Sequence, residues 1–237
     1  MTTAIPTRRE RHRSATLGEI KQAARRLAVD HGPSAISLRA IGRELGMSPA
    51  ALYRYFPNLE ALIKDVCGDL FEELHGSVVA AAAGRATAVE ELLAMARGFR
   101  QWSTAHPQEF ALLFGTPVPG VAELAEDCAS PQHPGALFGS VFRGPFARLW
   151  EELGRPALPV DDDLRSSLAP MHATHGDELP PAAMYAMLSG WIRLYGLVAL
   201  EVFGHLRWAI EEVEPLFEAE LAAFVQQLTV GWAHHDQ

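Results

Sequence analysis

Cysteine and long apolar runs are scarce in this 237-residue sequence, and each scarcity excludes a class of protein. The two cysteines, Cys67 and Cys128, form no CxxC pair, which argues against a disulfide framework or structural zinc and favours a reducing compartment. No uninterrupted apolar stretch approaches the ~20 residues that a membrane helix needs, and none follows the basic N-terminus. We therefore expect no membrane span, no signal peptide and a cytoplasmic location.

Motifs for catalysis and metal binding are also missing. The sequence contains no Gly-rich phosphate loop, no GxSxG and no helical pair of carboxylates with a companion base. His172, His175 and Asp177 could be drawn as metal ligands, but they fall in a Pro-rich segment where solvated side chains are the more frequent outcome. Cys128 and His133 call for the same caution. The sequence predicts no metal, no cofactor and no enzyme.

Strand patterns of convincing length are absent, whereas apolar residues recur at helical spacing through most of the chain, so we predict an all-α fold. Five prolines and an acidic run indicate a loop over 154–181, broken by a helical turn or two. Pro145 is expected to kink the helix that contains it or to divide that helix in two. The predicted helices cover about 16–31, 38–45, 50–55, 59–74, 87–106, 108–114, 121–129, 135–153, 182–204 and 215–232.

The net charge of −9 is unevenly distributed. Residues 1–65 hold 11 basic and 6 acidic side chains, which gives +5, so the remaining chain carries −14. A basic N-terminal quarter joined to an acidic remainder indicates that only the first part approaches nucleic acid. Charged faces are often merely solvated, so this asymmetry alone is weak support.

Residues 36–56, ISLRAIGRELGMSPAALYRYF, carry the most specific pattern. Ser37 is a good N-cap for a helix over 38–45, and Gly46 is placed to end that helix in the left-handed conformation. Ser48 and Pro49 are an N-cap and a first-turn proline for a second short helix. Two short helices joined by a Gly-containing turn are typical of the helix-turn-helix, although an ordinary helical hairpin has the same spacing.

The side chains of this segment suit a DNA contact. Ala50 is small enough to let a helix approach base edges, whereas Tyr53 and Arg54 offer donors to phosphates and bases. Leu52 and Phe56 lie four residues apart and are expected to pack inward.

The run SLRAIGRELGMSPAALYRYFPNLEAL closely resembles the DNA-binding signature of the tetracycline-repressor (TetR) family of bacterial transcriptional regulators, over about residues 15–66. The resemblance implies that Arg39 and Tyr53 contact phosphates. Leu59 stands where the family usually has a lysine, which removes one phosphate contact. The predicted DNA-binding residues are Ser37, Arg39, Arg43, Ser48, Pro49, Ala50, Tyr53, Arg54 and Tyr55.

The predicted domains are a disordered basic arm (1–14), a three-helix DNA-binding domain with the helix-turn-helix (15–60) and a helical bundle for effector binding and dimerisation (61–237). The arm either follows the DNA backbone or minor groove or only adds solubility. Thr16 and Glu19 read as a capping box that opens the first helix. A helix capped by Asn58 runs from about 59 to 74 and links the two domains.

Residues 191–206 resemble the C-terminal regulatory domain of a TetR-like subgroup with a Trp four residues before a [HY]-G pair, here Trp191 and Tyr195. The family implies a homodimer in which the last two helices pack against their twins. The alternative is a purely intramolecular core. The residues assigned to the dimer interface are Gly196, Ala199, Phe217, Leu221, Phe224, Val225 and Leu228.

Large aromatic side chains are concentrated in the middle helices. Aromatic stripes at helical spacing are most often plain core, but the resemblance implies an effector site between these helices, mostly apolar with a few polar groups. We expect a small hydrophobic effector. The candidate pocket residues are Phe99, Trp102, Phe110, Phe114, Phe142, Phe146, Trp150, Trp191 and Tyr195.

These expectations describe a homodimeric regulator, most often a repressor, that binds double-stranded DNA at an inverted-repeat operator and is released by the effector. An enzyme built on a helix-turn-helix and a non-specific architectural DNA binder are the alternatives.

Overall fold

The structure, a computed structural model, describes residues 7–115, 138–154, 160–175 and 179–230, with the backbone alone for 170–175 and 230. Within these ranges the regular elements are all helical, which confirms the all-α prediction. A 3-10 turn covers Pro33–Ala35. The α-helices are α1 (Arg8–His31), α2 (Leu38–Leu45), α3 (Pro49–Leu52), α4 (Leu59–Ala82), α5 (Ala88–Ala105), α6 (Pro107–Phe114), α7 (Arg143–Glu152), α8 (Asp162–His175), α9 (Pro181–Val202) and α10 (Glu214–Val230).

The described chain forms two compact units. Unit 1 holds the residues up to Glu73 and the segment that starts at His106, so it contains α1, α2, α3, the first four turns of α4, and α6. Unit 2 holds Leu74–Ala105 and the described residues from Phe138 onward. The boundary predicted at residue 60 falls inside unit 1, because the first part of α4 packs with α1.

Helix α1 begins at Arg8, about two turns before the predicted start at Thr16, so the expected disorder of the basic arm is wrong for these residues. The Thr7 hydroxyl accepts a hydrogen bond from Glu10 N at 3.2 Å, and the Glu10 carboxylate accepts one from Thr7 N at 2.6 Å. The later capping box does not form, since the Thr16 hydroxyl donates to the His12 carbonyl within the helix. The earlier box opens the helix because no Gly or Pro separates the two.

Ion pairs join the elements of unit 1. On α1, Lys21 binds Asp69 of α4 at 2.8 Å, and one turn later Arg25 binds Glu73 at 2.7 Å. The same Arg25 guanidinium donates from Nε to Glu109 of α6 at 3.2 Å. Glu109 is buried, so this arginine both ties three helices together and matches a carboxylate that has little access to water.

Arginine side chains of α5 hold both C-terminal helices within unit 2. Arg100 makes two hydrogen bonds of 2.7 Å to Glu201 of α9, and its guanidinium carbon lies 5.1 Å from the ring centre of Phe217 on α10. One turn earlier, Arg97 makes two hydrogen bonds of 2.6 and 2.7 Å to Glu218. These bonds lower the pKa of the Glu218 carboxyl.

Of two predictions for the middle of the chain, one is confirmed and one is corrected. Pro145 is the third residue of α7, where no backbone donor is required, and a turn at 141–142 separates α7 from the helical residues 138–140, so the predicted helix is divided in two. Helix α8 occupies much of the predicted loop over 154–181. The proline density pointed to a loop, but Asp161 caps α8 by accepting a hydrogen bond from Leu164 N at 2.7 Å. The predicted helix over 121–129 lies outside the described residues.

Two further findings concern metals and membranes. Among the described side chains, no group of three His, Cys, Asp or Glu could hold a metal ion. Cys128, His133 and Asp177 lie outside the described residues, as do the side chains of His172 and His175. In the described ranges one helix, α9, is long and apolar enough to cross a membrane by length and composition, a criterion that core helices of soluble proteins also meet.

Candidate nucleic-acid interface

Residues 36–56 fold into two short helices joined by a tight turn, as predicted. The Ser37 hydroxyl caps α2 by accepting a hydrogen bond from the N–H three residues later at 3.1 Å. Gly46 ends α2 at φ 64° and ψ 25°, a left-handed conformation that favours glycine. Ser48 caps α3 in the same way at 3.3 Å, with Pro49 as the first helical residue. The three cap residues predicted from the sequence are confirmed.

Helix α3 covers only Pro49–Leu52, whereas the predicted helix extends to Tyr55. The chain continues in tight turns, and Phe56 N donates to the Leu52 carbonyl at 3.0 Å. Leu52, Phe56 and Ile41 are buried, which confirms the predicted inner face. One turn of helix is therefore held from beneath by three apolar side chains, and its other side is open to solvent.

Gly42 is required for the close packing of α2 against the turn and α3, and the sequence analysis did not identify it. A Cβ built at this position would lie 2.8 Å from the Met47 carbonyl oxygen and 3.2 Å from Leu52 Cδ1. Both distances are closer than ordinary van der Waals contact, so only glycine lets α2 approach the turn and α3 this closely. The signal was present, since a glycine inside an amphipathic helix is costly unless packing needs it.

The residues predicted to contact DNA differ in their solvent exposure. Tyr53 is 57 % exposed, and Ser37 and Tyr55 are half-buried. The Ser37 hydroxyl is already used as a cap, and the Tyr55 ring is covered by an arginine of α1. The other predicted residues are all exposed, on α2, on α3 or directly beside α3: Arg39, Arg43, Ser48, Pro49, Ala50 and Arg54.

The arginine that covers Tyr55 is Arg13, which the sequence reading placed in the disordered arm. Its guanidinium carbon lies 5.2 Å from the Tyr55 ring centre, a cation–π distance. Its Nη1 also donates to the Arg54 carbonyl at 3.4 Å. These residues are about forty positions apart, so no local pattern predicts the contact. The first turns of α1 are thereby attached to the exposed turn that follows α3.

The exposed arginines of the helix-turn-helix differ from nearby arginines in whether a carboxylate binds them. Within the described ranges, Arg39, Arg43 and Arg54 have no ion pair. By contrast, Arg26 binds Glu44 of α2 at 2.7 Å. The helix-turn-helix therefore presents uncompensated positive charge on its open face, which is what a phosphate backbone requires.

The nine aromatic residues proposed as one pocket belong to two compact units. Phe110 and Phe114 belong to unit 1, where Phe114 meets Phe71 of α4 edge-on with ring centres 5.6 Å apart. Phe146 and Trp150 stack on each other inside the core of unit 2. These contacts describe the packing of the four side chains within their own units, and their assignment to an effector pocket stays a prediction.

The other aromatic residues of the set remain together in unit 2. Trp191 has its ring centre 5.5 Å from Phe99, 6.4 Å from Phe142 and 5.7 Å from Tyr195. Phe138, which the sequence reading did not single out, lies 5.9 Å from Phe99. Trp102 is buried in the same unit. We call Phe99, Phe138, Phe142, Trp191 and Tyr195 the aromatic cluster.

The residues predicted for the dimer interface differ in how deeply they are buried within one subunit. Phe217 and Leu228 are 1 % and 2 % exposed within a single subunit, so their assignment to an intersubunit surface is corrected. Phe224 packs against Gly190 of the neighbouring helix. Leu221 and Val225 are half-buried, as are Gly196 and Ala199. The apolar stripe of α10 is used largely inside the subunit, because α9 and α5 cover it.

Comparisons with known families match both parts of the chain. Residues 20–66 match the family described as bacterial regulatory proteins, tetR family, and residues 92–224 match the tetracyclin repressor-like C-terminal domain. The chain is 29 % identical over 194 residues to an HTH-type transcriptional regulator of Mycobacterium tuberculosis, which covers 78 % of this chain and 80 % of that protein.

Solved structures share the fold. The crystal structure of a regulatory protein, SCO4313, matches with a TM-score of 0.69 and 32 % identity, covering 93 % of this chain and all of that one. A TetR family transcription regulator from Marinobacter aquaeolei matches with a TM-score of 0.55 and 14 % identity, covering 91 % of this chain and 96 % of that one.

Proposed function

The chain belongs to the tetR family of bacterial regulatory proteins and is a DNA-binding transcriptional regulator, and we propose that it acts as a dimeric repressor whose operator binding is relieved by a small apolar effector. The observation that carries the proposal is the uncompensated positive face of the helix-turn-helix, formed by Arg39, Arg43 and Arg54. Since the family's members are regulators, the enzymatic alternative is not favoured. A cytoplasmic location follows from this role.

The exposed residues of α2, of α3 and of the turn after α3 have separate roles in this proposal. Arg39 and Tyr53 bind phosphates and set the position of α3, whereas Ala50 and Arg54 approach base edges. Leu59, in the first turn of α4, is half-buried and uncharged, so we assign more of the phosphate binding to the arginines of α2.

Selection of sites from random duplex DNA tests this role. Two copies of α3 related by a two-fold axis should select an inverted repeat with half-sites about one helical turn apart or somewhat more. Arg39→Ala and Tyr53→Phe should weaken binding to all sequences and reduce its salt dependence, because phosphate contacts release counterions without reading bases. A protein that binds every duplex equally would instead be an architectural factor.

The dimer surface that we propose lies along α9. Leu188, Ile192, Leu200 and Phe203 are all exposed, and Ile192 is 61 % exposed, which is unusual for apolar side chains at helical spacing. Gly196 lies on the same stripe, and a Cβ there would meet no atom of the described chain within 4 Å. A second helix could therefore approach closely at this position, and a four-helix interface built from α9 and α10 of two subunits would cover the stripe.

The effector site that we propose is the aromatic cluster of unit 2, and it includes the W-x3-Y-G motif formed by Trp191, Tyr195 and Gly196. The rings lie at contact distances, so a ligand must displace some of them. Phe142, Trp191 and Tyr195 are half-buried and are the side chains best able to move. The surroundings suit a small, largely hydrophobic molecule with one or two polar groups.

The signal would reach the DNA-binding unit along continuous backbone. Helix α4 passes from unit 1 into unit 2 at Glu73 and Leu74, and α6 follows α5 after the single residue His106. An effector that prefers the non-binding conformation by ~1–3 kcal/mol would displace the recognition helices through these connections. Linkage supplies the test, because any compound that lowers operator affinity must bind the operator complex more weakly than the free protein by the same factor.

A further inference from the structure

The basic residues of unit 1 can be sorted by whether a carboxylate neutralises them. Lys21, Arg25, Arg26 and Lys64 each bind an acidic side chain. In the described part of this unit, six arginines have no ion pair. Three of them are the helix-turn-helix residues discussed above, and a fourth is the arginine that covers Tyr55. The other two are Arg8 and Arg9, in the first turn of α1.

Nothing in the described part of the fold favours arginine at these two positions. Both side chains are exposed, and a cation in the first turn of a helix opposes the helix dipole. The carboxylate nearest in sequence, Glu10, is hydrogen-bonded to Thr7 N at 2.6 Å as part of the capping box. No carboxylate of the described chain therefore neutralises the positive charge of this turn, and that charge is available to an external anion.

The first turns of α1 are fixed relative to the recognition turn. Arg13 covers Tyr55 and donates to the Arg54 carbonyl, so this point of α1 lies against the exposed turn after α3. Arg9 precedes Arg13 by four residues, which places it on the same helix face about 6 Å further along. The helix carries Arg9 and its neighbour Arg8 beyond the recognition turn as a continuation of its positive surface.

We propose that the N-terminal turns of α1 are a second DNA contact, in which Arg8 and Arg9 bind backbone phosphates flanking the half-site and Arg13 positions them. This inference rests on the proposed function of the helix-turn-helix. The contact is sequence-independent, because guanidinium groups on phosphates carry no base information.

The test compares the salt dependence of binding for the full-length wild type, Arg8→Gln/Arg9→Gln and Arg26→Gln, on a selected operator and on a scrambled duplex. Arg26 is a matched control, since it lies on the same helix but is paired with Glu44. The double variant should lower the slope of log K against log salt by about 0.9 for each phosphate that is no longer bound, or about 1.8 per subunit, equally on both duplexes. The control should keep the wild-type slope.

Arg13 requires a readout that simple destabilisation would not move. In an Arg13→Gln background with a wild-type melting temperature, the Arg8/Arg9 changes should have a smaller effect on the slope than in the wild type. Additive effects would show that Arg13 does not position these side chains. A double variant with an unchanged slope, or with a loss matched by Arg26→Gln, would overturn the second contact. A wild-type protein that selects no operator would refute the proposed function itself.

Discussion

Gly42→Ala gives the sharpest test of how α2 and α3 are held together. The new Cβ would lie 2.8 Å from the Met47 carbonyl oxygen, and ordinary contact begins near 3.4 Å, so the turn must move by about 0.6 Å. Met47 N is itself bonded to the Gly42 carbonyl at 2.8 Å, which leaves the turn little freedom. Overpacking of this kind costs ~1–3 kcal/mol.

Replacing a helical glycine with alanine normally stabilises a protein, by ~0.5–1 kcal/mol. The net effect of Gly42→Ala should therefore be a loss of roughly 1–2 kcal/mol of unfolding free energy. Gly18→Ala on α1 is the matched control, since a Cβ there meets no atom of the described chain within 4 Å. Gly18→Ala should show only the gain in unfolding free energy. Urea unfolding followed by circular dichroism measures both.

Operator affinity should distinguish the two variants as stability does, with a loss for Gly42→Ala alone. A shift of α3 against α2 misplaces every base-facing side chain, and one misplaced base contact costs ~1–3 kcal/mol, so Gly42→Ala should bind at least about tenfold more weakly. Gly18→Ala should bind like the wild type. If Gly42→Ala stabilised the protein as Gly18→Ala does and kept full affinity, the proposed packing of the helix-turn-helix would be refuted.

Three further predictions concern other parts of the chain. Ile192→Glu should convert a dimer into monomers in sedimentation and weaken operator binding. The control Val79→Glu, at an exposed valine of α4, should do neither. If both variants stayed dimeric, the interface would lie elsewhere. Arg25→Gln should destabilise unit 1 by ~2–4 kcal/mol, because Glu109 is left buried without its partner. The control Lys21→Gln, which breaks an exposed ion pair, should cost under ~1 kcal/mol. Equal losses of unfolding free energy in urea would contradict this prediction. Burial raises the pKa of the Cys67 thiol to about 12, against 9.0 when exposed, so in a Cys128→Ser background the native protein at pH 8 should react slowly with Ellman's reagent. Ionisation of the unfolded thiol should also remove stability between about pH 9 and 12, a loss that Cys67→Val should lack.

Local sequence decided the helix-turn-helix. Ser37, Gly46, Ser48 and Pro49 each act within three or four residues of chain, through a capping hydroxyl, a left-handed glycine or a fixed φ. Short-range interactions of this kind can be predicted from spacing alone. For the same reason the all-α fold and the buried positions of Leu52 and Phe56 were predicted correctly.

Local sequence also offered choices that it could not settle. Two T-x-x-E boxes could open α1, and the one at Thr7 forms, which converts an expected arm into helix. Proline density indicated a loop where Asp161 caps α8. In both cases one or two capping hydrogen bonds outweighed a compositional trend.

Only the tertiary structure decided which distant residues meet. Helical periodicity tells which residues share a face but not what that face packs against, so Phe217, predicted to lie in the dimer interface, became core. The same holds for Arg25, which joins α1 to α4 and α6, and for Gly42, whose missing side chain matters only because Met47 and Leu52 lie over it. Such contacts depend on where whole helices lie, and that is set by the packing of the complete chain rather than by any segment of it.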